Sequence, residues 1–397
     1  MYTLLPILLL AVSAYGTNLE PDHSEPRRYI VKLKSSELAG KFAEDFDEYR
    51  QSAKKLPIGH VEMVSQAETG SSLTVMNLNR QSLEMVRNHP SVEYVEEDGL
   101  VELEVEIGAG RLLETRGDDV SYWGLDRINQ KTLPLDGNVS FIGDGTGVNI
   151  YIIDSGVMET HSDFGGRVKA GFDVFDSDGQ DCLGHGTQVA GVAAGKTYGV
   201  AKGATIHSVR TLDCNGVARN SQIARSIDWV AEHGESPCVA TIALSTRSSK
   251  TIDAAIQRLA ESGCLPVTAA SNEVKDRQYD ACVRSPARSP YALTVGASKA
   301  DDSKAWFSRY GICVDIFAPG YDIRTTSKKG DDEFLYARGT SLSCPFVAGV
   351  AAIHLGNGVP QDEVRERILN DATVCEIPDA GRGSPNRLLY VDPGRKK

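Results

Sequence analysis

The sequence predicts an α/β protein with a mostly parallel central sheet and helices on both faces, preceded by a small α+β domain. Two observations support this fold class. From Gly147 onward, short apolar stretches alternate with stretches of helix-forming residues, which is typical of parallel strands joined by helical crossovers. The chain has 397 residues and is 41% hydrophobic, so it can bury one large core and a second, smaller one.

Residues 1–16 are predicted to be a secretory signal peptide. An apolar run extends from Leu4 to Val12, and small residues such as Ala14 and Gly16 follow it. The run is too short to cross a bilayer, which takes about 20 apolar residues. A buried N-terminal strand and an uncleaved anchor are the alternatives. No later stretch is long and apolar enough to span a membrane, so we expect a secreted protein without a membrane partner.

The net charge argues against one class of partner. The chain carries 54 acidic and 42 basic side chains, a formal charge of −12. Both the part before residue 104 and the part after it are acidic. Because nucleic-acid binding requires a basic face, we expect no nucleic acid as a partner.

The residues that follow the signal peptide are predicted to form the small α+β domain. Strand-like alternation, helix formers and a break at a proline follow one another in this part of the chain. The predicted elements are a strand at 29–34, a helix at 37–55, a strand at 71–78, and then a short helix, Pro90 and an edge strand that ends in acidic residues. Residues 105–120 show little periodicity and are predicted to be an exposed linker.

The large domain is predicted from five apolar strands. Their sequences are VNIYIID, TIHSVRTL, VATIALS, LPVTAAS and ALTVGAS. Helices are predicted between them, including Asn220 to His233 and Thr251 to Ser262. In sheets of this kind, binding and catalysis occur at the carboxyl ends of the strands. We therefore expect the functional residues to follow the strands directly.

Three polar residues occupy such positions. Asp154 ends the strand NIYIID, His185 lies between glycines at a predicted helix start, and Ser341 lies at another helix start with Pro345 in its first turn. Each residue alone has an ordinary structural explanation, as a turn acid, a structural histidine and a helix cap. Together, in the chain order Asp, His, Ser, they match a catalytic triad. A lipase is disfavoured because no GxSxG motif surrounds the serine.

The motifs around these residues resemble those of the subtilase family, in its proteinase K-like branch. They read IIDSGV, GHGT…AG and GTS…P…VAG, and the likeness extends to YGVAKGA, SRYGICVDIFAPG and GSPNRLLY. The resemblance implies a monomeric serine endopeptidase at 121–392 that acts on proteins or peptides and needs no cofactor for catalysis. It also implies that 28–104 is an inhibitory propeptide, removed by self-cleavage near Glu104 to Glu106 or further along, as far as Gly117.

The resemblance assigns further site residues. Asn272 corresponds to the amide donor of the oxyanion hole. The substrate backbone would lie between two groups of residues and prefer an apolar side chain at P1, the acyl-side residue of the cleaved bond. These groups are Gly216, Val217 and Ala218 on one side, and Ala243, Leu244, Ser245, Ala270 and Ser271 on the other.

One departure from the family pattern leaves a second function open. Ser245, Thr246 and Ser271 stand where the family has glycines, and the side chains of Ser245 and Thr246 are expected to crowd or reshape the rim of the P1 pocket. The alternative function is therefore that of a catalytically impaired binding or regulatory protein, which has the subtilase fold and retains its propeptide.

All eight cysteines follow residue 180, in a chain that carries an export signal. The resemblance implies two disulfides, Cys182 to Cys214 and Cys282 to Cys313. Cys238 and Cys264 begin two neighbouring predicted strands and could be bridged or simply buried. Cys344 is expected to be a buried thiol near Ser341.

A structural calcium ion is implied by the same resemblance. Its ligands would be the carbonyls of Pro290 and Ala292 and the carboxylate of Asp315, and such oxygen ligands suit calcium. Asp315 could equally be a structural acid.

Overall fold

The computed structural model describes residues 26–52, 61–62, 73–103, 122–273 and 278–394. The signal peptide predicted at 1–16, the linker predicted at 105–120 and the candidate cleavage sites lie outside the described residues. No helix in the described part of the chain is long and apolar enough to cross a membrane.

Residues 26–103, where described, form a separate N-terminal unit with its own sheet and core. Its elements are β1 (Arg27–Leu33), α1 (Leu38–Ser52), β2 (Val61–Glu62), β3 (Leu73–Leu78), α2 (Arg80–Arg87), β4 (Val92–Glu97) and β5 (Leu100–Glu102). The antiparallel sheet has the order β2-β3-β1-β4. Buried side chains such as Val31, Met76 and Val86 fill its core. The small α+β domain that the sequence predicts is confirmed.

The larger unit contains helices and strands in alternation. Its helices are α3 (Trp123–Ile128), α4 (His185–Ala194), α5 (Asn220–His233), α6 (Lys250–Glu261), α7 (Thr340–Gly356) and α8 (Val364–Asp371). Its strands are β6 (Asn149–Asp154), β7 (Val168–Asp173), β8 (Thr205–Arg210), β9 (Val217–Arg219), β10 (Cys238–Ile242), β11 (Thr246–Arg247), β12 (Leu265–Ala269), β13 (Arg284–Ser285), β14 (Leu293–Ser298), β15 (Ile316–Pro319), β16 (Ile323–Thr326), β17 (Phe334–Ala337), β18 (Thr373–Val374) and β19 (Arg387–Leu388).

A nine-stranded sheet of the described residues forms the centre of this unit. Its order is β18-β19-β15-β14-β12-β10-β6-β8-β7. All neighbours pair in parallel except β18, which runs antiparallel at one edge. The mostly parallel α/β fold is therefore confirmed, and the carboxyl ends of β6, β10 and β12 lie side by side.

Both faces of the sheet are covered by helices, which explains why its strands are apolar throughout. Successive side chains of a strand face opposite sides, and β6 shows the alternation. Ile150 and Ile152 belong to the core that includes α4 and α7. Tyr151 and Ile153 belong to the core that includes α5 and α6.

The helix α7 lies inside the protein rather than on its surface. Every residue from Leu342 to Leu355 is buried. Pro345 is the sixth residue of α7 and lies in its second turn, not in the first turn as expected, so it cannot donate the helical hydrogen bond to the Ser341 carbonyl. The N-terminus of α7 therefore has a fixed position at the carboxyl end of the sheet.

Candidate active site

The carboxyl end of β6 contacts the first residue of α4. His185 Nδ1 is 2.8 Å from Asp154 Oδ1 and 2.9 Å from Asp154 Oδ2. Asp154 is fully buried, and His185 is 6% exposed. The backbone N–H of Ser155 also donates to Asp154 Oδ1, at 2.7 Å. The carboxylate thus orients the imidazole and leaves Nε2 as the ring nitrogen that can accept a proton.

Two opposed effects act on the charge of His185. Burial lowers the pKa of the imidazole, whereas the Asp154 carboxylate, its hydrogen bond and the more distant Asp181 raise it, and the net pKa lies above the usual 6.5. The imidazolium is therefore stabilised at this position. A general base acquires this positive charge when it removes a proton.

Asp181 holds the segment around His185 in place, and sequence reasoning did not identify it. Its Oδ1 accepts hydrogen bonds from Ser155 Oγ at 2.8 Å and from Gly184 N at 2.6 Å. Its Oδ2 accepts from Thr187 N and Thr187 Oγ1, at 2.9 and 2.6 Å. One buried carboxylate thus joins the loop after β6 to the first turn of α4. Only the position of Asp181, shortly before a predicted helix start, could have signalled this role.

Ser341 is the second residue of α7 and is partly exposed. The helix is preceded by Gly339, whose φ of 148° is rarely adopted by other residues. A Cβ atom on Gly339 would lie 2.9 Å from Ser341 Oγ and 3.4 Å from Asn272 Nδ2. The hydroxyl and the amide therefore border the same small space, which a larger residue at 339 would fill.

Asn272, which follows β12, has a defined orientation. Its Oδ1 accepts hydrogen bonds from Thr340 N and Thr340 Oγ1, both at 3.0 Å. The amide nitrogen is consequently the end that borders the space beside Ser341. An N–H donor next to a hydroxyl at a helix N-terminus is suited to a developing negative charge on oxygen.

The four predicted residues lie in two pairs: Asp154 contacts His185, and Asn272 borders the same small space as Ser341. Asp154 is the last residue of β6 and His185 is the first residue of α4, whereas Asn272 follows β12 and Ser341 lies in the first turn of α7. Only β10 separates β6 from β12 in the sheet, so both pairs lie at the carboxyl ends of neighbouring central strands. Among the described residues, no hydrogen bond joins His185 to Ser341. Such bonds are often long before a substrate is bound.

An extended segment of the N-terminal unit pairs with the residues predicted to bind substrate. We call Leu100–Leu103 the tail strand. It runs antiparallel to β9, with Val101 opposite Ala218 and Glu102 opposite Val217. Leu103 N donates to Gly216 O at 2.8 Å. One edge of the predicted substrate cleft is thus occupied by the protein's own chain.

The tail strand leads toward the histidine. Gly216 has a φ of 78°, and a Cβ atom there would lie 3.3 Å from both Leu103 Cβ and Leu183 Cδ2. Leu183 precedes His185 by two residues. The end of the described tail therefore approaches the site, and Gly216 permits that approach.

The second predicted group of substrate-binding residues follows β10 and β12. Ala243, Leu244 and Ala270 are buried. Ser245 Oγ donates to Ser271 Oγ at 2.9 Å. The two segments are thus linked by their side chains as well as by the strands that precede them.

Thr246 has a different role from the one expected. It is 6% exposed and pairs with Ser285 in the short β11–β13 ladder. Its side chain is packed inside the protein, so of the two side chains expected at the pocket rim only that of Ser245 is partly exposed.

Two carboxylates attach the N-terminal unit to helix N-termini of the larger unit. Glu96 accepts from Ser249 Oγ at 2.6 Å and from the amides of Lys250 and Thr251 at 2.8 and 3.2 Å, where α6 begins. Asp98 accepts hydrogen bonds from Ser221 N and Ser221 Oγ, at 2.9 and 2.8 Å, in the first turn of α5. Negative charge is favourable at a helix N-terminus because the free amides point toward it.

The described cysteines form three disulfides. They join Cys182 to Cys214, Cys282 to Cys313 and Cys238 to Cys264. The first two are the pairs that the resemblance implies, and the third resolves the alternative left open for Cys238 and Cys264.

Cys344 and Cys375 are not part of a disulfide in the described structure. The Cys344 thiol lies 3.0 Å from Thr241 Oγ1 and 3.2 Å from Val267 O. Burial raises the pKa of this thiol to about 12. It is therefore a neutral, buried thiol.

The residues expected to bind calcium do not fit the ion. Arg365, on α8, donates from Nη1 to Pro290 O and from Nη2 to Asp315 Oδ1, both at 3.1 Å. Asp315 Oδ2 accepts from Thr294 N at 2.8 Å. The Arg365 guanidinium thus lies between the Pro290 carbonyl and the Asp315 carboxylate, two of the three groups expected to bind the ion. At the site expected from Pro290, Ala292 and Asp315, the positive charge is therefore that of the Arg365 side chain instead of a calcium ion.

Comparison with known proteins gives consistent matches. A sequence model of the subtilase family, Peptidase_S8, matches residues 145–389. Alkaline serine exoprotease A of Vibrio alginolyticus is 37% identical, over 91% of this chain and 67% of its own. The extracellular serine proteinase of Thermus sp. (strain Rt41A) is 41% identical, over 78% of this chain and 73% of its own. The solved structure of a cold adapted subtilisin-like serine proteinase is 41% identical and covers 69% of this chain and 99% of its own, with a TM-score of 0.65.

Proposed function

Since the chain belongs to the subtilase family and is a serine endopeptidase, we propose that Asp154, His185 and Ser341 form its catalytic triad. The observation that carries the proposal is the pair of Nδ1 contacts from His185 to Asp154, at the same sheet edge as Ser341. One of the similar proteins named above is called an extracellular serine proteinase. We extend the proposal to a secreted enzyme whose residues 1–16 are a signal peptide.

The proposed reaction is acyl transfer from a peptide bond. His185 Nε2 accepts the proton of Ser341 Oγ as the oxygen attacks the carbonyl carbon, and Asp154 balances the imidazolium. The oxyanion accepts hydrogen bonds from Asn272 Nδ2 and the Ser341 amide. One such donor contributes roughly 3–4 kcal/mol in enzymes where it was removed. His185 then protonates the leaving amine, and water hydrolyses the acyl enzyme.

The N-terminal unit is proposed to act as the propeptide, with 28–104 as the inhibitor and 121–392 as the peptidase domain. The pairing of the tail strand with β9 supports this role, since an extended substrate would use the same edge. Glu96 and Asp98 hold the unit on α5 and α6. Self-cleavage after the tail strand would free the cleft. The enzyme is proposed to act as a monomer on proteins or peptides.

One observation favours the alternative of a catalytically impaired binding protein. Ser245 and Ser271, which stand where the family has glycines, contact each other through their hydroxyls, and this contact would narrow the cleft. In that case the triad would be retained, the propeptide would stay attached, and the chain would bind without cleaving.

The two functions are distinguished by processing of the full-length chain. The wild-type chain should separate into the N-terminal unit and the peptidase domain on a denaturing gel, whereas Ser341→Ala should stay intact. Ser343→Ala is the matched control, because Ser343 Oγ is buried without a hydrogen bond among the described residues. This control should process like the wild type. A wild-type chain that stays intact would reject the proposed protease and favour the binding protein.

A further inference from the structure

The hydroxyl contact between Ser245 and Ser271 lies where a substrate side chain would enter. β10 and β12 are parallel neighbours, and Ile242 pairs with Thr268 in their last described pair. Ser245 and Ser271 each follow this pair by three residues. The two serines therefore occupy equivalent positions on adjacent segments at the carboxyl edge of the sheet.

Their position relative to the proposed chemistry identifies the side chain concerned. The attacked carbonyl carbon contacts Ser341 Oγ, and its oxygen contacts Asn272 Nδ2. Ser271 immediately precedes Asn272 in the chain. The family resemblance implies that the side chain of the residue that carries this carbonyl, P1, passes between the segments that hold Ser245 and Ser271.

The contact leaves no room for a long side chain. A carbon atom between two walls needs about 7 Å between the facing atoms, twice the contact distance of roughly 3.5 Å. The two serine oxygens are only 2.9 Å apart. Ser271 is 4% exposed, so packing on its other sides restricts its displacement.

The backbone of Ser271 gives independent support. Its φ is 75°, in the left-handed region. A residue with a Cβ atom costs about 1–2 kcal/mol more than glycine in this conformation. The chain thus carries a side chain where the backbone conformation favours glycine, which is typical of positions that serve a function.

We propose that Ser245 and Ser271 are specificity-determining residues that restrict P1 to glycine, alanine and serine. The inference rests on the proposed proteolytic function and narrows its substrate class. It replaces the broad apolar preference that the family resemblance implies. The hydroxyl pair closes the deep part of the P1 pocket and leaves only a shallow recess beside Ser341.

The test measures kcat/KM for a set of peptides that differ only at P1, with Gly, Ala, Leu or Phe. The processed wild-type enzyme should cleave the Ala peptide at least about 100-fold faster than the Phe peptide, within the range that pocket size alone provides. The double variant Ser245→Gly/Ser271→Gly should raise the Phe-to-Ala ratio at least about tenfold. Ser343→Ala, which removes a buried hydroxyl elsewhere, should leave the ratio unchanged.

The N-terminal sequence of the processed enzyme provides a second readout. Cleavage should follow a small residue, such as Gly108, Ala109 or Gly110. Cleavage after Glu104 or Glu106 would overturn the inference.

Each outcome separates the inference from the proposed function. A wild-type enzyme that cleaves Phe and Ala peptides equally well would overturn the inference and leave the protease intact. An inactive wild type that gains activity as the double glycine variant would support closure of the pocket and reject the proposed activity. Inactivity of both proteins would reject both proposals.

Discussion

Replacing Asp98 by asparagine should loosen the N-terminal unit from the peptidase domain. The Asp98 side chain is fully buried. Its carboxylate accepts from Arg28 Nε at 2.8 Å, from Ser221 N at 2.9 Å and from Ser221 Oγ at 2.8 Å. Asparagine has nearly the same shape but presents an NH₂ group to at least one of these donors.

The size of the effect follows from these contacts. A hydrogen bond to a charged group contributes about 1.5–3 kcal/mol. The interaction of a charge with a helix N-terminus, here that of α5, adds about 0.3–1 kcal/mol. The loss should therefore be about 2–4 kcal/mol, which corresponds to a roughly 30- to 800-fold higher population of the undocked unit.

Hydrogen exchange of the Leu103 amide measures this opening in the full-length chain. The amide donates to Gly216 O and is protected only while the tail strand is docked. In a Ser341→Ala background, which is expected to keep the chain intact, Asp98→Asn should accelerate exchange of the Leu103 amide roughly 30- to 800-fold.

Glu97→Gln is the matched control for this measurement. The Glu97 side chain is 61% exposed and lies 4.0 Å from Arg27, so its removal should change exchange less than about threefold. An unchanged rate in Asp98→Asn, or an equal increase in both variants, would refute the argument that the buried carboxylate holds the unit in place.

Three further predictions concern the peptidase domain. The acid limb of the kcat/KM profile should have a pKa above 6.5, because Asp154 favours protonated His185 and the general base must be neutral. Asp154→Asn should move this limb to lower pH and reduce kcat by about 10⁴; a limb that did not move would contradict the assigned cause. Removing the disulfide with Cys238→Ala/Cys264→Ala should lower the free energy of unfolding by about 3–4 kcal/mol, from its separation of 26 residues, as measured by denaturant titration. Arg365→Ala should cost about 1 kcal/mol and gain thermal stability from added calcium by more than the wild type does; equal calcium responses would show that Arg365 does not replace the ion.

The sequence predicted those parts of the site that are encoded locally. Asp154, His185 and Ser341 each follow a strand or begin a helix, so short motifs were sufficient to place them. The helix α5 has the predicted bounds, Asn220 to His233, because a single amphipathic pattern extends from one end to the other.

The remaining features depend on residues that meet only in the folded chain. Asp315 and Arg365 are 50 residues apart, and no pattern indicates that a guanidinium from α8 lies at the expected calcium position. The sequence shows a strand that ends in acidic residues, but it does not show that Glu96 reaches the start of α6. Thr246 was expected in the cleft because strand pairing of only two residues, with β13, gives no detectable signal.

The burial of α7 has a consequence for how the enzyme comes to be active. Ser341 is fixed by a helix whose following residues are enclosed between the sheet and other helices. Ordering of a surface loop is not enough to position Ser341, because α7 is held in place only after the core around it has packed. On the proposed role of Ser341, a partly folded chain would therefore have no proteolytic activity, and a nascent molecule would not digest its unfinished neighbours.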